Sequence, residues 1–138
     1  MSKVRVEFSP PRHGWIEVKV SDGSQEVELV VSDVPCDSLS DLVGSLGKLV
    51  DGSELEEVEW SLEPEYALWR FKQLDDAIRL EVYPTNDRSN CLVFEEDGLL
   101  IVRRIAKGLS DLAVVSEWPQ KEVDNRVWSW EFLSPLRN

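Results

Sequence analysis

Apolar side chains fall at every second position where the chain begins. Val4, Val6 and Phe8 alternate with Lys3, Arg5 and Glu7, the period of a strand with one buried face. Pro10 and Pro11 end the run. Ile16, Val18 and Val20 then alternate with Trp15, Glu17 and Lys19, and Ser21-Asp22-Gly23-Ser24 is a turn signal. Val27, Leu29 and Val31 follow, opposite Glu26, Glu28 and Val30. Two such strands joined by an Asp-Gly turn predict a hairpin.

The period next becomes helical. Leu39, Leu42, Val43, Leu46, Leu49 and Val50 share one face of a helix. Ser38 with Asp41 three residues later suits its N-terminus, and Gly52 suits its end. Gly44 and Gly47 each weaken a helix interior by up to about 1 kcal/mol, and are expected to let this helix sit close on a sheet.

Four more strand-like runs follow. Val58, Trp60 and Leu62 alternate with Glu57, Glu59, Ser61 and Glu63. Trp69 and Phe71 alternate with Leu68, Arg70 and Lys72; after a tight turn at 74–77, Ile78, Leu80 and Val82 alternate with Arg79, Glu81 and Tyr83. A polar loop at 84–90 leads to a last strand at 91–95. Leu99, Val102, Ile105, Ala106, Leu109, Leu112 and Ala113 predict a second helix over 99–115, with Gly108 as its blemish; the opening Leu-Leu-Ile-Val run also suits a longer strand.

These elements predict an α+β fold, a mainly antiparallel sheet of about seven strands with two long helices packed on one face. The pattern predicts one domain over 1–138, its Trp-rich tail (about 116–138) packed against it, because free tails rarely hold so many large aromatics. Strand order is not readable from the pattern.

Composition narrows the function classes. The 138 residues are 42% hydrophobic, enough for a core without staples. No apolar run approaches the roughly 20 residues that span a bilayer. Residues 1–14 hold no apolar signal core, so a cytoplasmic setting is expected. Fifteen Lys and Arg against twenty-seven Asp and Glu leave a formal charge of −12. That balance opposes binding to nucleic acid and to anionic membranes. It suits a basic protein partner, although acidity also simply keeps a domain soluble.

Candidate chemistry is sparse. Cys36 and Cys91 are far apart, too few for a structural zinc site, and read as small core residues. His13, the single histidine, sits in a Pro-Pro-Arg-His-Gly loop with no partner for nucleophilic catalysis. Gly44-Ser45-Leu46-Gly47-Lys48 lacks phosphate-loop spacing, and Leu49 stands where Ser or Thr is needed. The acidic clusters at 54–59, 75–76 and 95–97 have no EF-hand spacing. No cofactor or metal is expected. Of the six tryptophans, Trp60 and Trp69 fall on apolar strand faces. Trp118, Trp128 and Trp130 belong to the tail, as docking residues or as a partner surface.

The segment 59–71, Glu-Trp-Ser-Leu-Glu-Pro-Glu-Tyr-Ala-Leu-Trp-Arg-Phe, resembles the central hairpin of small acidic bacterial proteins, some of them similar to immunity proteins of polymorphic toxin systems. The likeness extends to the amphipathic segments 39–50 and 99–113 and covers about half the chain by pattern. It implies a non-enzymatic protein-binding domain, an immunity-type inhibitor of a basic partner, and transfers no functional residue. The alternative is a small-molecule-binding domain or enzyme with a Trp-lined cleft between sheet and helices. For the first reading the partner-binding candidates are Glu57, Glu59 and Glu63, turned outward if Trp60 turns inward, with Trp128 and Trp130 from the tail.

Overall fold

Each alternating run forms a strand, and each strand pairs antiparallel with the next in the chain. The computed structural model describes residues 3–10, 15–32 and 38–113. Among these, β1 (Arg5–Phe8), β2 (Trp15–Ser21) and β3 (Glu26–Ser32) precede α1 (Ser38–Val50). Then come β4 (Leu55–Ser61), β5 (Tyr66–Gln73), β6 (Ala77–Tyr83), β7 (Leu92–Asp97) and α2 (Leu100–Ala113). The seven strands lie in one sheet in chain order, so the α+β reading and its antiparallel sheet stand. The unreadable strand order proves to be the simplest one, a meander.

Pairing is extensive within β1–β2–β3 and within β4–β5–β6–β7. Between β3 and β4 it shrinks to one pair, Ser32 with Ser61. Helix α1 follows in the chain, and among the described residues β3 and β4 meet only at their C-terminal ends. Both serines are buried, at 2% and 1% exposure.

The inward faces form one core with the two helices. Val18, Val31, Val58, Trp69, Phe71 and Leu80 from the sheet meet Leu42, Leu46 and Leu49 of α1 and Ile101, Ile105 and Leu109 of α2. Ser38 opens α1 and donates its hydroxyl to the Glu59 carbonyl, tying the helix to β4. At the other end Gly52, with φ 100°, reverses the chain: its N–H reaches Leu49 O at 3.0 Å and the Ser53 N–H reaches Lys48 O at 2.9 Å. That is the Schellman arrangement, which glycine favours because it lacks a Cβ.

The sheet curls until its first and last strands approach. The Val4 amide donates to Glu96 Oε1 at 2.9 Å, and the Gln25 side-chain amide donates to the Val93 carbonyl. Helix α2 packs against both β1 and β7. Trp60 and Trp69 meet edge-on at 5.1 Å and 62°, both with 0% exposure. Ala67, opposite Trp60 in the register, leaves room for the indole.

Several expectations need correction. Gly44 and Gly47 do not bring α1 close to the sheet; both are exposed, and a Cβ on either would touch nothing within 4 Å. Gly108 is the close-packing glycine instead. A Cβ there would lie 2.7 Å from Val6 O and 3.1 Å from the Phe8 ring, so its bare backbone lets α2 rest on β1. Residues 100–113 are helical throughout, as their spacing predicts, so only the strand alternative for the opening Leu-Leu-Ile-Val run falls. Leu62 falls just past β4, in the turn to β5. Cys91 is exposed rather than in the core, because it lies one residue before β7, outside the alternation that buries Phe94. The tail, His13 and Cys36 lie outside the described residues.

The packing sets distinct expectations for helix substitutions. Leu46, 1% exposed, should cost about 2–5 kcal/mol when cut to Ala. Gly44→Ala and Gly47→Ala should each raise stability by about 0.5–1 kcal/mol, since the space is open and the helical backbone gains rigidity. Gly108→Ala should lower it, because the new methyl meets backbone that cannot yield. Thermal melts of the four single variants check the order, and a stabilised Gly108→Ala would contradict the close approach of α2.

Candidate functional site

The outward face of the sheet carries the polar half of each alternation. Cross-strand register brings Glu57, Arg70 and Glu81 into one line over β4, β5 and β6. A parallel line holds Leu55, Lys72, Arg79 and Glu95 over β4 to β7. Glu57 with Arg70, Arg70 with Glu81 and Arg79 with Glu95 are unlike pairs directly across neighbouring strands, whereas Lys72 faces Arg79 and reaches diagonally to Glu81.

Within and between these lines the charges neutralise one another. Arg70 Nε donates to Glu57 Oε2 at 2.6 Å, and its Nη1 lies 3.9 Å from Glu81 Oε1. Lys72 Nζ is 3.2 Å from Glu81 Oε2, and Arg79 Nε is 3.1 Å from Glu95 Oε1. The hydrogen bond from Arg70 to Glu57 holds the guanidinium above its ordinary pKa. Glu81 is buried at 8% exposure, although it stands on the outward face. It also accepts a hydrogen bond from the Tyr83 hydroxyl at 3.0 Å. The Arg70 guanidinium lies over the Tyr83 ring at 5.4 Å, which joins ring and charges into one cluster.

Tyr83 records this crowding. Burial, then its hydrogen bond to Glu81 and the neighbouring Cys91 thiol, push the phenol up to about 12. Losing the proton would set a phenolate beside a carboxylate in a partly dry site.

Toward the β3–β4 junction the balance changes. Glu28, Glu59, Glu63 and Glu65 are all exposed. Among the described residues no cation pairs with Glu28, Glu63 or Glu65. Glu26 is partly neutralised by Lys19 at 3.3 Å. Glu63 and Glu65 stand in the turn linking β4 to β5, closed by Leu62 N–H to Glu65 O at 2.7 Å. Glu63 has φ 44°, which costs a non-glycine residue on the order of 1 kcal/mol, and precedes a cis peptide to Pro64.

The three carboxylates expected to form one line are thus unequal. Glu57 and Glu59 do face outward from β4, with Val58 and Trp60 inward. Glu57, however, is held by Arg70, and Glu63 lies beyond the strand end. Ser61 between them is buried against β3. Trp128 and Trp130 lie outside the described residues. The alternation shows that Glu81 and Tyr83 face outward, but only the register shows how Arg70 and Lys72 cover Glu81.

Among the described residues no three His, Cys, Asp or Glu side chains are grouped to hold a metal. Trp60 and Trp69 fill the core and line no cleft. An open hollow of about 840 Å³ is lined by Lys3, Arg5 and residues 21–26, without an aromatic side chain. Its Asp22 carboxylate sits below the usual range, held by the Ser24 backbone amide at 2.9 Å within the β2–β3 turn. No helix among the described residues is long and apolar enough to cross a membrane.

The outward cluster sets a titration. Tyr83 should ionise near pH 12 by ultraviolet difference absorbance, and Glu81→Ala should bring it back toward 10. The unfolded chain releases this proton first, near pH 10. Stability from this group is therefore unchanged below pH 10 and falls as pH rises from about 10 to 12. A Tyr83 that titrates alike in both proteins would contradict the Glu81 contact. No family model, curated protein or solved structure matches this chain.

Proposed function

We propose that this chain is a non-enzymatic protein-binding domain whose partner is a basic protein, in the manner of an immunity-type inhibitor. The observation that carries the reading is the uneven outward face. The cations Arg70, Lys72 and Arg79 are engaged by Glu57, Glu81 and Glu95. Glu28, Glu63 and Glu65, exposed around the β3–β4 junction, meet no cation among the described residues, and Glu59 is exposed beside them. An acidic strip on a chain of net charge −12 attracts a basic surface and speeds its approach. Trp60 and Trp69 favour this over a Trp-lined ligand cleft, since both are core residues, while Trp15 is half-buried on the outward face.

The test is capture with the full-length chain as bait in extract from its own host. A stoichiometric basic protein, released by salt, supports the reading. A co-purifying small molecule and no protein overturns it. With that partner in hand, Glu59→Gln plus Glu63→Gln should slow association. Glu57→Gln alone should change association little, because Arg70 already neutralises that carboxylate. Exposed pairs of this kind contribute only about 0–1 kcal/mol, so its effect on stability should also be small. Association that ignores both the double change and added salt reduces the strip to a solvated face, since charges beyond about 8 Å are screened at physiological ionic strength.

A further inference from the structure

Among the described residues the meander has an open edge in its interior. The Asp22 N–H bonds to Gln25 O at 3.2 Å, which sets the hydrogen-bonding phase of the β2–β3 hairpin. In an antiparallel pair, bonded and non-bonded positions alternate. Val27, Leu29 and Val31 therefore exchange bonds with Val20, Val18 and Ile16. Glu26, Glu28, Val30 and Ser32 point their N–H and C=O groups the other way. Ser32 meets Ser61 of β4, as this phase requires. Glu26, Glu28 and Val30 meet no strand among the described residues, because β4 runs away from β3 at that point. Val30 is 51% exposed, in keeping with an uncovered edge.

From this geometry we propose that the edge of β3 from Glu26 to Val30 accepts an extended segment of the partner as an added strand. The inference rests on the protein-binding reading above and names how that partner binds. Charge and shape commit to one occupant. Outward positions of the new strand would lie beside Glu26 and Glu28, with Glu63 and Glu65 at the neighbouring turn. Inward positions would lie beside Leu29 and the half-buried Leu62, which already packs on the core. The matching segment alternates Lys or Arg with small aliphatic residues. Main-chain bonds supply the affinity and the alternation supplies the choice.

The experiment uses the full-length chain and a synthetic peptide of alternating lysine and valine, with alternating glutamate and valine as control. Amide exchange is followed by NMR. In the free chain the N–H groups of Glu26, Glu28 and Val30 should exchange fast, while those of Val27 and Leu29 are protected. The lysine–valine peptide should slow exchange at the first three, and the glutamate peptide should not. Glu28→Pro removes one outward N–H without breaking a bond to β2, so the fold should hold while peptide binding weakens by about tenfold or more. Val30→Lys, a charge change that leaves the backbone donor in place, should weaken it too.

Protected amides in the free chain would overturn the proposal, because the edge would then be filled by another segment of the chain or by a second copy, the two separated by sedimentation. Equal binding by Glu28→Pro and the parent chain would also overturn it. If that equal binding still falls with salt and with the Glu59 and Glu63 double change, the acidic strip survives and only the strand-addition mode fails. If Glu28→Pro does not fold, Val30→Lys decides alone, and unchanged binding by it counts against the edge.

Discussion

One residue pair makes a single sheet out of two. Among the described residues Ser32 and Ser61 are the only register pair between β3 and β4, and they lie in one cross-strand line with Trp15 on β2 and Tyr66 on β5. Small side chains suit that position, flanked as it is by two half-buried aromatics. Because the contact lies at the C-terminal ends of both strands, each runs on alone in its own direction. Helix α1 covers the solitary part of β4, beginning with the Ser38 bond to the Glu59 carbonyl. The solitary part of β3 has no such cover among the described residues. The placement of α1, the open edge and the gathering of carboxylates at the junction all follow from this one short pairing.

Much of the fold was legible in the chain because burial on one face leaves a period. Val18 against Lys19, or Trp69 against Arg70, states which way each side chain turns, and short turns such as 74–77 favour antiparallel neighbours. What a period does not record is what stands across the gap. Gly44, Gly47 and Gly108 look alike in a helical pattern. Only the approach of Val6 and Phe8 distinguishes the last as a packing requirement. Cys91 misleads for a related reason: the usual burial of cysteine is a property of cores, and this residue sits just outside a strand.

The candidate site was legible in part for the same reason. Alternation turns Glu57 and Glu59 outward and so identifies carboxylates that a partner could meet. It carries no information about which cation lies opposite. The register sets Arg70 against Glu57 and removes that charge from the strip; it also sets Lys19 opposite Glu28, yet that ammonium turns to Glu26 and leaves Glu28 in the strip. Glu81 shows the converse. An outward position predicts solvent, yet two cations and a tyrosine close over it.

An exposed strand edge is a hazard, because any second chain with unpaired backbone groups can add to it. The charges around this edge limit that hazard in a selective way. A second copy pairing antiparallel along β3 would bring its own Glu26 and Glu28 against the first pair, and like charges on adjacent strands repel. The same carboxylates attract a cationic strand. The feature that disfavours self-association is therefore the feature that favours a basic partner, and no additional residue is required for the distinction. Discrimination of this kind needs both an attractive and a repulsive element. Here one pair of glutamates supplies both, and the cations near Glu81 are already engaged by carboxylates of neighbouring strands.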